Sequence, residues 1–170
     1  GSAISNISSQ AFSGCTALTN VVLPEGITTI SHKAFYNCTN LQSIYIPKSV
    51  TSILGNAFDG CDSLTSVTIP DGVTTIGSSA FANNTNLTEI FVKGKKDSSG
   101  FTSLGSDWNG SCTNIVYEFS SCYVYSGDTI TDYLDSCPSE VGIPSELDGV
   151  TITTIADNAF KDKGLTSVVI

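Results

Sequence analysis

Arginine is absent from the 170 residues, and seven lysines face sixteen Asp and Glu, for a net charge of −9. A nucleic-acid binder needs a basic face to displace counterions from phosphate, and the only lysine cluster is Lys93, Lys95 and Lys96. That class is excluded, and an anionic membrane surface is disfavoured for the same reason. No apolar run is long enough to span a bilayer, so no membrane insertion is expected of this segment, and no signal peptide opens it. Gly1-Ser2 reads as a cloning remnant, and the chain stops at Ile170 where its own pattern demands a proline and a turn. The expectation is a fragment or mature form of something longer, with export signal and anchor outside it.

The means of catalysis are equally scarce. His32 is the only histidine and sits beside Ser31 and Lys33, a setting that predicts an exposed surface residue. There is no Gly-x-Ser-x-Gly elbow, no phosphate-cradling glycine loop and no Cys-x-x-Cys spacing for zinc. Nine carboxylates fall between Asp107 and Asp157 with no lysine among them. A calcium loop would need an Asp-x-[Asp/Asn]-x-[Asp/Asn]-Gly run, which is missing, so a solvated acidic face is the better reading. Neither a catalytic residue nor a metal or cofactor is expected, and the chain is read as a non-enzyme.

What the sequence has is repetition. Ala-Phe stands at Ala11-Phe12, Ala34-Phe35, Ala57-Phe58 and Ala80-Phe81, a constant step of 23, and returns at Ala159-Phe160. Other apolar positions keep step: Ile27 and Ile30 ahead of the second pair, for example, and Leu41, Ile44 and Ile46 behind it. A unit this short cannot bury its own apolar side chains and must stack on copies of itself. The segment L-x-x-[VI]-x-[LIV] alternates like a short strand with one side inward, and stacked copies pair about 4.8 Å apart as a parallel sheet. Pro24, Pro47 and Pro70 end three such strands because proline donates nothing to the ladder. The [IV]-T-x-I segment is the return run, and the Ala-Phe stretch suits one helical turn, with Phe filling the coil.

Leu-x-x-[VI]-x-[IL]-Pro followed by [IV]-x-x-I-x-x-x-Ala-Phe-x-x-Cys-x-x-Leu, in register over residues 4 to 92 and again over 150 to 170, resembles the BspA-like (Treponema pallidum type) leucine-rich repeat. The resemblance implies a leucine-rich-repeat solenoid of short parallel strands with one-turn helical or irregular segments. It also implies a bacterial, or sometimes protozoan, surface or secreted protein used for adhesion. The chain departs from the pattern at Asn84, which replaces the Cys, and at Lys93, which replaces the Pro.

Three parts are expected: a first block of four coils over 1–93, an irregular cap or linker over 94–120 anchored by Trp108, and over 121–170 a hairpin with the start of a second block. Cys15, Cys38 and Cys61 share one repeat position and read as buried thiols acting as small hydrophobes. Cys112, Cys122 and Cys137 remain as pairing candidates, an odd number that leaves one over. The outward strand positions are Asn20 and Val22, Ser43 and Tyr45, Ser66 and Thr68, and Glu89 and Phe91. Stacked in register, Val22, Tyr45, Thr68 and Phe91 form one surface column. Two readings stand level: a ligand-binding face anchored by aromatics, or residues that merely favour strands. The functional expectation is extracellular recognition of a protein or glycan, host matrix included, with a passive spacer as the alternative.

Overall fold

The structure, a computed structural model, describes residues 4–94, 98–118, 122–134, 139–147 and 150–170, with only the main chain of Glu118 and Glu140. Gly1, Ser2, Lys95, Lys96, Asp135, Cys137 and Asp148 lie outside the described residues. The first block supplies strands β1 (Asn6–Ile7), β2 (Asn20–Val22), β3 (Thr29–Ile30), β4 (Ser43–Tyr45), β5 (Ser52–Ile53), β6 (Ser66–Ile69), β7 (Thr75–Ile76) and β8 (Glu89–Lys93). Then come β9 (Ser103–Leu104), β10 (Asn114–Glu118), β11 (Tyr123–Ser126), β12 (Thr129–Tyr133) and β13 (Glu140–Gly142). The last are β14 (Glu146–Leu147), β15 (Val150–Thr151), β16 (Thr154–Ile155) and β17 (Ser167–Val169).

Each coil contributes one strand to each of two walls. The return runs form a five-stranded parallel sheet, β1-β3-β5-β7-β9, in which Ile7, Ile30, Ile53, Ile76 and Leu104 follow one another in register. The other wall is laid down as β2-β4 and β6-β8-β10, also parallel. Alternation decides which side chains enter: Val67 and Ile69 of β6 are buried while Ser66 and Thr68 are exposed. A single line of core joins the walls from Ile7 to Cys112.

Between the walls runs a chain of turns instead of a helix. Gln10, Lys33, Asn56 and Ser79, two residues ahead of each Phe, have left-handed φ values of 58°, 56°, 55° and 56°. A right-handed helix does not propagate through such a residue, so the segment breaks into single i to i+3 turns, as from Lys33 O to Tyr36 N. This lays the Phe main chain against the next coil. The N–H groups of Phe12, Phe35 and Phe58 each donate to the Ala carbonyl of the following coil, at 2.8 Å in every case. The rings stack nearly parallel, with centroids 5.1, 5.3 and 5.2 Å apart from Phe12 to Phe81.

The cysteine column is polar as well as apolar. The Cys38 thiol donates to Phe12 O at 3.1 Å and the Cys61 thiol to Phe35 O at 3.2 Å, each reaching the preceding coil. Asn84 holds the same position in the fourth coil by other bonds. Its Oδ1 accepts the Cys61 N–H at 2.6 Å and its Nδ2 donates to Phe81 O at 3.1 Å, so the buried amide is satisfied. Cys15 departs from the expectation of a buried thiol. It is exposed, and Phe12 keeps 41% of its surface, because their coil is covered on one side only.

Residues 98–118 close a further coil. Ser103 pairs with Thr75 and Asn114 with Glu89, so the step to the preceding coil is 28 and then 25 in place of 23. Five residues are therefore added ahead of β9 and three removed after Cys112. The Phe81 N–H donates to Trp108 O at 2.8 Å, which puts Trp108 where Ala stands elsewhere, and its indole meets Phe81 edge-on at 6.4 Å. Asp107 repeats the left-handed residue with φ 50°, and Cys112 takes the repeat cysteine position, its N–H on Asn109 O. Beyond it, β11 and β12 form an antiparallel hairpin around Gly127, with β12 parallel to β16. β13 lies beside β10 and pairs with β17, so the second wall continues. A separate core of Tyr123, Ile130, Tyr133, Val141, Leu147 and Ala159 serves this part.

Truncating Phe58, fully buried between two rings, to Ala is expected to cost about 3 to 5 kcal/mol. Phe12→Ala, at the half-covered end, should cost only about 1 to 2 kcal/mol. Urea unfolding of the two variants checks this, and equal losses would show that the stack does not carry the fold.

Candidate functional site

The outward face of the second wall places the predicted residues as follows. Val22 is opposite Tyr45, and Asn20 opposite Ser43, whose hydroxyl donates to Asn20 Oδ1 at 2.7 Å. Thr68 is opposite Phe91, and Ser66 opposite Glu89. Val22 and Tyr45 are 70% and 51% exposed, while Phe91 is half-buried. The next residue in register, Val116, is buried, so exposure of this column falls from the first coil to the fifth.

The face is not one continuous ladder. β4 and β6 are adjacent but belong to separate sheets, although β3 and β5 on the other wall pair normally. A cleft of about 320 Å³ lies across this seam. It is lined by Asn20, Ser43, Tyr45 and Thr68 from the predicted set, and by Lys48 and Lys93. Val22, Ser66, Glu89 and Phe91 are outside it. A second, shallower hollow beside it carries only uncharged polar side chains, Gln42, Ser63, Thr65, Asn86 and Thr88.

Lys48 was not legible from strand alternation because it follows Pro47, past the end of β4. The available signal was the position after the proline, which reads Glu25, Lys48 and Asp71 in successive coils. Its main chain is tightly held: a Cβ added at Gly72 would sit 2.6 Å from Lys48 O and 3.2 Å from Val50 O. Only glycine fits there without displacing Lys48.

Other candidates hold less. His32 is exposed and its carbonyl accepts from the Ser9 hydroxyl of the adjoining coil. In the acidic stretch, hydrogen bonds from Thr153 and Thr129 hold the Asp128 carboxyl below its ordinary pKa. Asp132 is lowered by Lys163, which it meets at 3.0 Å. Among the described residues no group of three or more His, Cys, Asp or Glu is placed to hold a metal ion. Nor is any described helix long and apolar enough to cross a membrane. The buried thiols are poor nucleophiles, since desolvation raises Cys38 and Cys112 and pushes Cys61 up to about 12. Cys122 is disulfide-bonded and Cys112 is free, which removes Cys112 from the three pairing candidates.

Short stacked coils, a parallel strand on each wall and a line of Leu, Ile, Val and Phe between them define a leucine-rich-repeat solenoid. The model of the family described as BspA type leucine rich repeat region (6 copies) matches residues 2–124, and the chain belongs to that family. No curated protein matches the sequence. Among solved structures it is similar to the T. pallidum leucine rich repeat protein (TpLRR), with TM-score 0.60 and 21% identity. It is also similar to a leucine-rich repeat protein from Bacteroides ovatus ATCC 8483, with 0.58 and 25%, and to the pneumococcal vaccine antigen PcpA, with 0.56 and 18%. Each match covers 98% of this chain but 63%, 41% and 39% of those chains respectively, so this chain spans less than two thirds of each relative.

The thiol placements have measurable consequences. In native protein, Cys15 should react with a chromogenic disulfide reagent within minutes, and Cys38, Cys61 and Cys112 only on unfolding. Because the folded pKa of Cys61 lies above its unfolded value near 9, its contribution is intact below pH 9 and lost as pH rises toward 12. Cys61→Ala should therefore flatten the alkaline fall of stability. A fall as steep as the parent's would refute the assignment.

Proposed function

We propose that this chain is a non-enzymatic recognition module of a secreted or surface-attached protein, holding a protein or glycan ligand on the outward face of the second wall. The observation that carries this reading is the cleft across β4 and β6, which gathers Asn20, Ser43, Tyr45 and Thr68 around an exposed aromatic ring. Rigid aromatic side chains bind at low entropic cost, and solenoids present such faces repeatedly along their length. Likeness to PcpA, described as a vaccine antigen, supports an extracellular setting. The acidic, arginine-free composition suits a soluble exterior that avoids nucleic acid.

The test is binding to host matrix proteins and a glycan panel by the parent and by a Tyr45→Ser, Phe91→Ser double variant of unchanged melting temperature. Binding by the parent, reduced tenfold or more in the variant, is the expected result. Equal binding by both would move recognition off this face. No binding by either would favour the alternative, a passive spacer presenting other domains.

A further inference from the structure

We infer that the cleft between β4 and β6 is a subsite for a carboxylate-bearing sugar ring, a uronic or sialic acid unit of a glycan. The inference rests on the recognition reading above and names its ligand class. Four observations converge on it. At about 320 Å³ the cleft falls at the small end of the range typical of small-ligand sites, the scale of one sugar ring. Its wall is mostly apolar, with Ile44, Ile46 and Pro70 beside the half-exposed Tyr45, and its polar edge is Thr68 with the mutually hydrogen-bonded Ser43 and Asn20, a combination that suits one face of a pyranose and its hydroxyls.

Its charge reverses that of the chain. Sixteen acidic residues face seven lysines overall, yet the lining holds two lysines and no Asp or Glu. Lys93 has partners within the protein, and Lys48 is the cation assigned to the ligand carboxylate. The nearest carboxylate on Tyr45 is Glu25, whose Oε1 accepts the tyrosine hydroxyl at 3.4 Å. Asp71 stands at the equivalent position of the next coil and accepts the Gly72 N–H at 2.9 Å. Neither lines the cleft. Finally, the adjacent hollow offers Gln42, Ser63, Thr65, Asn86 and Thr88, hydroxyls and carboxamides that suit neutral sugar units running on from the acidic one. That hollow offers an acidic peptide no further cation.

The experiment is an NMR titration of the isotopically labelled chain with methyl β-glucuronide, the methyl glycoside of N-acetylneuraminic acid, methyl β-glucoside and a Glu-rich hexapeptide. Proteins compared are the parent, Lys48→Gln, Tyr45→Ser and, as a charge-matched control away from the cleft, Lys161→Gln. Shifts are expected around Tyr45 and Thr68 with one or both acidic sugars, identifying which, and at least fivefold weaker binding of the neutral glucoside. Lys48→Gln should weaken the acidic sugar about five- to tenfold and bring it level with the glucoside, Tyr45→Ser about tenfold, and Lys161→Gln not at all. Equal binding of glucoside and glucuronide, or an unchanged Lys48→Gln, would overturn the carboxylate assignment. Tighter binding of the hexapeptide would overturn the sugar in favour of a protein ligand. No shift with either acidic sugar would overturn the subsite. The Tyr45→Ser, Phe91→Ser variant read against matrix proteins and glycans separately reports whether the face itself recognises a ligand.

Discussion

The contact on which the structure depends is the hydrogen bond from each Phe N–H to the main-chain carbonyl of the next coil, repeated at 2.8 Å from Phe12 to Phe81. It forms only if the chain arrives at that corner with a left-handed residue two positions earlier, as at Gln10, Lys33, Asn56 and Ser79. Once it forms, the ring must lie on the ring of the preceding coil, and the cysteine three residues on can reach a Phe carbonyl there. The length of the chain between walls matters less than the corner. The fifth coil takes longer steps to both β9 and β10, and still delivers Trp108 O to Phe81 N. Insertions outside the corner close a longer loop at small entropic cost, whereas a change at the corner removes a buried main-chain partner.

This frame fixes what the outer face can do. Parallel strands of three to five residues, stacked in register, leave little freedom in the spacing of Val22, Tyr45, Thr68 and Phe91. A surface of this kind is preorganised, so a ligand bound to it would spend little of the interaction energy on ordering it. Relief comes where the ladder is interrupted, between β4 and β6, and there the sheet becomes concave. The concavity and the exposed aromatic residue Tyr45 coincide there.

The first four coils were legible because identical residues recur at one interval and every apolar position moves with them. The fifth was not. Trp108-Asn109 takes the place of Ala-Phe, and steps of 28 and then 25 defeat any comparison at constant offset. The lapse of the period groups Cys112 with Cys122 in sequence, whereas its main chain places it with Cys38 and Cys61. At the exposed end Phe12 and Cys15 are less buried than their repeat positions imply, since periodicity names the inward side of a coil and cannot say whether another coil covers it. At the candidate site, alternation puts Asn20, Ser43, Tyr45 and Thr68 on the outward side of their strands, where they are exposed. The interrupted pairing and the approach of Lys48 depend on inter-coil geometry, which no single repeat encodes.

The charge distribution then bears on how an anionic ligand could reach such a cleft. A chain of net charge −9 repels anions at long range, and at physiological ionic strength that repulsion is screened beyond about 8 Å. Contact with Lys48 acts within a few ångströms, well inside that screening length. Raising salt from very low values therefore removes the opposing long-range term before it weakens the short-range one. Electrostatics in this arrangement does not attract the ligand from a distance, as a basic surface would. At the proposed subsite it would discriminate only after encounter, favouring a ring that carries its carboxylate at the edge where Lys48 stands over anions that cannot also cover Tyr45.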